Sequence, residues 1–191
     1  MLDEIIPSKT RRKILSLFLN NINEAYHLRR IGREVEEEIN AVKRELDILE
    51  KAKILKKEKR LNKSIYSINT KHLYFDELLK LQAKHSQLAM ELRKNASLLG
   101  KVHFIAMSLK LQKKEDIGES EVYMVFIGTI VATEVQKIVQ SVQTDYPFEV
   151  NYTIMPKDEF EYRKRKNDPF IWKFIKEPKV MIVGEEAHFM A

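Results

Sequence analysis

Between Ala25 and Ile68 the chain runs through a helix, a tight turn, a second amphipathic helix and a basic two-stranded hairpin, an order that leaves few ways to fold. The first helix reads as residues 27–35, with the turn at Val35-Glu36-Glu37. The second, residues 38–51, carries Ile39, Val42, Leu46 and Leu49 at i, i+3, i+7 and i+10, which share one face of a 3.6-residue helix. Asn40, Lys43, Arg44 and Asp47 occupy the opposite face. The hairpin reads as residues 54–60, a turn at Leu61-Asn62-Lys63, and residues 64–68. Upstream, Pro7-Ser8 opens a helix to Asn20 whose apolar face is Ile14, Leu15, Leu17 and Phe18, completing a three-helix core.

That sequence of elements is the order of a winged helix-turn-helix, so residues 1–70 are expected to form a DNA-binding domain. Asn40, Lys43 and Arg44 are residue types that can donate to guanine or pair bidentately with adenine in the major groove. Lys56, Lys57, Lys59, Arg60 and Lys63 on the hairpin supply cations for phosphate, and Arg29 and Arg30 on the first helix are also expected to bind DNA. Residues 1–72 hold 17 Lys or Arg against 11 Asp or Glu, whereas residues 73–191 hold 17 against 17. The entire formal net charge of +6 therefore sits on the proposed reading head, as an electrostatic footprint requires. Glu36, Glu37 and Glu38 oppose this reading, because they suit a helix N-terminus and repel phosphate.

Beyond the hairpin, residues 71–99 contain no Gly or Pro and read as one long linker helix. Leu78, Leu81, His85, Leu88, Leu92, Asn95 and Leu99 follow a 3-4-3-4 spacing. Such a stripe means either a dimer coiled coil or a helix packed onto its own domain; the dimer is the reading taken, with Leu78, Leu81, His85, Leu88 and Leu92 as its expected seam, because a homodimer would give a DNA reader its two-fold symmetry. The absence of cysteine removes disulfides and thiolate metal sites, and the five histidines show no metal-ligand spacing, so no metal or cofactor is expected. The apolar runs are too short to span a membrane and the N-terminus lacks an apolar leader, so a cytoplasmic protein with no membrane partner is expected.

From Gly100 the pattern alternates. Strands are expected at residues 102–106, 121–127 (ended by Gly128), 149–155 and 179–183, and helices at 133–143, from Pro156, and at 169–176. Thr133 and Gln136 are in capping-box positions for the first of these helices. Residues 100–191 thus read as a small α/β domain, and the whole chain as α+β. The basic run Arg163-Lys164-Arg165-Lys166 could touch distal DNA or RNA, but is read in preference as a solvated helix end.

The chain resembles an ArsR-like winged helix-turn-helix regulator fused through a long helix to a minimal nucleotidyltransferase-like domain. The N-terminal likeness rests on His27-Leu28-Arg29-Arg30-Ile31, on the run from Asn40 to Glu50, and on Ile65-Tyr66-Ser67-Ile68-Asn69. The C-terminal likeness rests on Phe148–Ile154, Asp158–Arg163, Asp168-Pro169-Phe170 and Glu177–Gly184. Active nucleotidyltransferases end their first strand in Gly-Ser and open the second with Asp-x-Asp, because glycine lets the backbone approach the triphosphate and paired carboxylates hold two metal ions. Here the first site reads Met107-Ser108 and the carboxylate positions hold Glu121 and Tyr123, with Asn151 where a third carboxylate would stand. A shifted register would offer Glu119 and Glu121 instead.

The resemblance therefore implies the fold without the activity, and no catalytic residue is assigned. The reading is a sequence-specific, dimeric transcriptional regulator of double-stranded DNA. Its inactive nucleotidyltransferase-like domain would serve assembly or the sensing of a small-molecule or protein effector. The alternative is a metal-dependent nucleotidyltransferase acting on a protein or RNA and targeted by its winged helix. A third reading, kept open by the three glutamates, is a protein-interaction module.

Overall fold

A computed structural model describes residues 5–60 and 63–191, with the side chain of Arg60 also left aside; Leu61 and Asn62 of the expected hairpin turn lie outside the described residues. The fold is mixed α and β, and the chain divides into two compact units, Met1–Leu79 and Lys80–Ala191.

In the first unit, α1 (Lys9–Asn20) starts where the Ser8 side chain accepts from the Arg11 N–H, which satisfies one of the free donors of a first helical turn. A three-residue strand, β1 (Ala25–His27), leads into α2 (Leu28–Val35), whose N-cap is the His27 ring accepting from Arg30 N–H. The helix ends at Glu36 in the left-handed region, φ 52°, and α3 (Ile39–Lys51) begins three residues later with Glu38 as its cap. Strands β2 (Leu55–Arg60) and β3 (Lys63–Ile68) form an antiparallel hairpin, and β1 adds to the far side of β3, giving the order β1-β3-β2. Ile14, Phe18, Ile31, Val42, Leu46 and Leu49 are fully or almost fully buried between the three helices. Phe18 meets Tyr26 of β1 edge-on at 5.5 Å.

Two details depart from the sequence reading. Ile39 rests over Gly32 and stays 39% exposed, because the sharp Glu36 turn places the first residue of α3 at the rim of the core rather than in it. In α1, Leu19 is buried and Leu17 only partly so.

The expected long linker helix is absent. Residues 71–99 form α4 (Phe75–Lys84) and α5 (Gln87–Lys94), separated at His85-Ser86. The His85 and Ser86 amides bond back to Gln82 and Ala83, tightening the last turn of α4, and the Ser86 hydroxyl then accepts from Ala89 N–H to start α5. His85 donates its Nδ1–H to the Leu81 carbonyl, so it closes a helix end rather than joining a seam. The boundary between the two units falls inside α4.

The second unit holds a four-stranded sheet of order β6-β5-β4-β7, formed by β4 (Gly100–Ser108), β5 (Met124–Ile130), β6 (Tyr152–Met155) and β7 (Lys179–Val183). β4 is antiparallel to β5 and β7, and β5 is parallel to β6. Strand residues alternate between faces, so Phe104, Ala106, Val125 and Ile127 meet Phe160, Ile171, Phe174, Ile175 and Phe189 on one side. Those partners come from α8 (Lys157–Arg165), α9 (Pro169–Lys176) and α10 (Glu186–Met190). The intervening Ile105, Met107, Met124 and Phe126 are equally buried, so both faces of the sheet are covered. The short α6 (Leu109–Lys113) follows β4, and α7 (Ala132–Ser141) follows β5.

α5 packs on α7 and β7 inside this unit, where Leu88, Ala89 and Leu92 lose all solvent exposure. The stripe expected to face a second copy is thus filled by the chain's own core at Leu88 and Leu92, while Leu78 and Leu81 on α4 are half-buried. Other boundaries shift too. β5 continues past Gly128, which adopts φ +146° opposite a bulge in β4; an added Cβ would stand 2.2 Å from the Lys101 carbonyl oxygen. Thr133 lies inside α7, whose N-cap Val131 makes no side-chain cap bond, so the expected capping box does not form.

Candidate nucleic-acid interface

Four of the expected cationic residues meet in one place. Arg29 at the start of α2, Lys43 on α3, and Lys57 and Lys63 on the hairpin line a cleft of about 560 Å³ together with His27, Leu28, Ser64 and Tyr66. Asn40, Lys43, Arg44 and Asp47 are all exposed on the outer face of α3, three or four residues apart as helical geometry requires. The face exists because Val42, Leu46 and Leu49 hold the opposite side of the helix in the core.

The hairpin register divides its cations. Lys57 stands opposite Tyr66 and Lys59 opposite Ser64, so these residues share one face of the ribbon with the buried Leu55 and Ile68. Lys56, paired with Ser67, points to the other face. Lys63 sits at the hairpin end, opposite Arg60. The Lys57 ammonium lies 5.5 Å from the centre of the Tyr66 ring and 3.9 Å from the Asp47 carboxylate. Interaction with the Tyr66 side chain, and then the carboxylates of Asp47 and Glu50, hold Lys57 above its ordinary range, so it stays charged across the neutral region. Arg30 stacks on Tyr26 at 4.6 Å and pairs with Glu34, which leaves it outside the cleft lining.

The three glutamates are largely absorbed by the fold. Glu38 accepts from the Asn40 and Ala41 amides at 2.8 and 3.0 Å, capping α3. Glu37 pairs with Lys13 at 2.8 Å and Lys9 at 3.6 Å on α1, and the Lys13 contact holds it below the ordinary carboxylate range. Glu36, at the left-handed turn, and Glu38 are both exposed. Further along α3, Glu45 accepts from the Ser8 hydroxyl at 2.6 Å and from Arg11 Nε at 2.7 Å. Burial opposes its ionisation, but the Ser8 and Arg11 contacts outweigh that and also hold it low. Residues 8–13, the cap and opening turns of α1, therefore tie both the turn before α3 and the middle of α3.

A lowered carboxylate contributes stability that is complete above its unfolded-state value, about 4, and disappears as pH falls through the folded one. The midpoint of thermal unfolding of the N-terminal unit is expected to fall with pH below that range. Glu45→Gln should flatten this acid limb, which melting curves across a pH series would read.

At the open end of the second sheet the chemistry differs. Met107 and Ser108 close β4 and are buried, and the Ser108 hydroxyl is occupied in accepting from Lys110 N–H at the head of α6. Glu121 and Glu119 lie ahead of β5 in non-strand backbone, so the i, i+2 geometry of the shifted register does not exist. Glu121 is bridged by Lys110 at 2.6 Å and Lys173 at 2.9 Å, which hold it low, and Lys110 also reaches Glu177 at 2.9 Å. Tyr123 is buried against Phe148 at 4.8 Å and donates to the Glu115 carbonyl; desolvation pushes its hydroxyl up to about 12. Asn151 is exposed, and its carbonyl accepts from the Tyr123 amide.

This donor set does not fit two metal ions, since its one well-placed carboxylate is neutralised by two lysines. Among the described residues no three His, Cys, Asp or Glu side chains converge as a metal site. The basic run on α8 is likewise engaged. Arg163 pairs with Glu159 and Asp168, Lys164 is buried beside Phe160 and Glu161, and Lys166 lies over the Tyr162 ring. Lys164 is thus a buried member of a run read as a solvated helix end.

No helix among the described residues is long and apolar enough to cross a membrane. Comparison with known proteins gives no further guide to this surface: no family model, no curated protein and no solved structure matches the chain.

Proposed function

We propose that the chain is a transcriptional regulator that binds double-stranded DNA sequence-specifically, with α2 and α3 as a helix-turn-helix and the β2–β3 hairpin as a wing. The observation that carries this reading is the cleft in which cations from α2, α3 and both hairpin strands converge beside an exposed helix face bearing Asn40, Lys43 and Arg44. Phosphates would meet Arg29, Lys59 and Lys63, and base edges would meet the α3 face. Pairing of Glu37 with Lys9 and Lys13 supports it, because those cations offset the repulsion that this carboxylate would exert, while Glu38 is turned to capping α3.

The C-terminal unit is proposed as a non-catalytic domain for assembly or effector sensing. The engagement of Glu121 by Lys110 and Lys173 supports the absence of metal-dependent nucleotidyl transfer. Dimerisation through Leu88 and Leu92 is no part of the proposal, since both are enclosed in their own unit.

Selection of bound duplexes from a random pool, followed by titration over a salt series, tests the reading. The expected result is an enriched motif whose affinity falls with added salt, and no labelling of the protein or of added RNA by nucleoside triphosphates with magnesium or manganese. No duplex binding at low salt would refute the first half, and labelling lost in Glu121→Gln would refute the second.

A further inference from the structure

Asn40, Lys43, Arg44 and Asp47 form the exposed face of α3, and Asp47 is the one carboxylate among them. On a surface of this charge a carboxylate weakens attraction for every phosphate. Its only favourable partners in a major groove are amino groups on base edges, such as cytosine N4, whereas guanine O6 and N7 and thymine O4 repel it. Asp47 also faces the wing, with its Oδ1 3.9 Å from the Lys57 Nζ, and both side chains remain substantially accessible to water. Such an exposed pair is weakly held, so a phosphate can compete for the lysine.

We propose that Asp47 is a specificity-determining residue: it holds Lys57 when the protein is free or on unmatched DNA, and releases it to a phosphate where a base amino group takes its place. The inference rests on the reading of this cleft as a duplex-DNA surface. Recognition then gains twice on a matched sequence, from the carboxylate-to-amino contact and from the freed cation. On a mismatched sequence no base amino group takes the place of Lys57, so the lysine stays with the carboxylate and makes no phosphate contact. Discrimination thus comes partly from rejecting wrong sequences.

The test compares wild type, Asp47→Asn, Lys57→Ala and the double variant on a random-sequence duplex and on duplexes selected by the wild type. Asparagine keeps the shape of Asp47 and removes its charge, and thermal melting confirms that each variant is folded. On random DNA, D47N is expected to bind tighter and to gain about one unit of salt slope, equivalent to roughly threefold greater loss between 50 and 200 mM salt. Its preference for selected over random duplex should shrink by about tenfold. Lys57→Ala should lower the slope on selected DNA by about one and leave the random slope unchanged, and in that background D47N should no longer raise it. Wild-type binding with slope and preference unchanged in D47N would overturn the inference alone. A gain of slope in D47N that persists without Lys57 would also overturn it. Failure of the wild type to bind any duplex would overturn the underlying reading, and this inference with it.

Discussion

Leu92→Ala is expected to destabilise the C-terminal unit by about 2–5 kcal/mol, and Leu88→Glu to unfold it. Both side chains have no exposed surface, and the helix that carries them packs on α7 and β7. Removing most of an enclosed leucine loses its transfer free energy and leaves a cavity; adding a carboxylate there buries an unpartnered charge. With total stabilities of about 5–15 kcal/mol, either change is large for the unit concerned. Thermal or urea unfolding, monitored alongside sedimentation, reads the result. A Leu92→Ala protein that melts like wild type but sediments as a smaller species would instead make the stripe an interface between copies.

Lys43→Ala and Arg44→Ala are each expected to weaken binding to selected duplexes by about 1–3 kcal/mol, or roughly 5- to 150-fold, with preference relaxed at particular base pairs. Lys63→Ala should weaken selected and random duplexes alike and lower the salt slope by about one. The difference follows from placement. Lys43 and Arg44 stand on the exposed α3 face, while Lys63 sits at the hairpin end. Competition titrations across single-base variants of the selected site would show it. Equal losses on every sequence for all three variants would remove the division between base and phosphate contacts.

Elements whose start and stop are written in local chemistry were legible from residues alone. The helix Pro169–Lys176 and the strand Lys179–Val183 keep their expected limits, because Asp168 caps the helix through Phe170 and Ile171 N–H, Pro169 pre-sets its first turn, and Gly184 ends the strand at φ +85°. The exposed α3 face was legible for the same reason, since apolar periodicity identifies the buried side and thereby the other one. Strand β1, with three residues, has too little sequence to show a period of two and exists through its pairing with β3. The helices α6 and α10, with five residues each, were missed likewise.

The heptad-like leucines show the limit most clearly. Spacing reports that Leu88 and Leu92 need burial, but it is silent on whether the covering surface belongs to another copy or to the same chain. A stop signal was present at Ser86, yet a serine after a histidine is also compatible with a continuing helix, and only the packing of α5 on α7 and β7 settles the break. The same holds for the carboxylates. The sequence determined where the net positive charge lies, which faces of the helices are apolar, and that residues 100–191 alternate strand with helix. Tertiary structure decided that Glu37 is paired with Lys9 and Lys13, Glu121 with Lys110 and Lys173, and Asp47 with Lys57. These partners lie 10 to 52 positions apart in the chain. Periodicity and capping act within a few residues along the backbone, whereas the electrostatic state of a carboxylate is set by whichever cation the fold brings within about 4 Å.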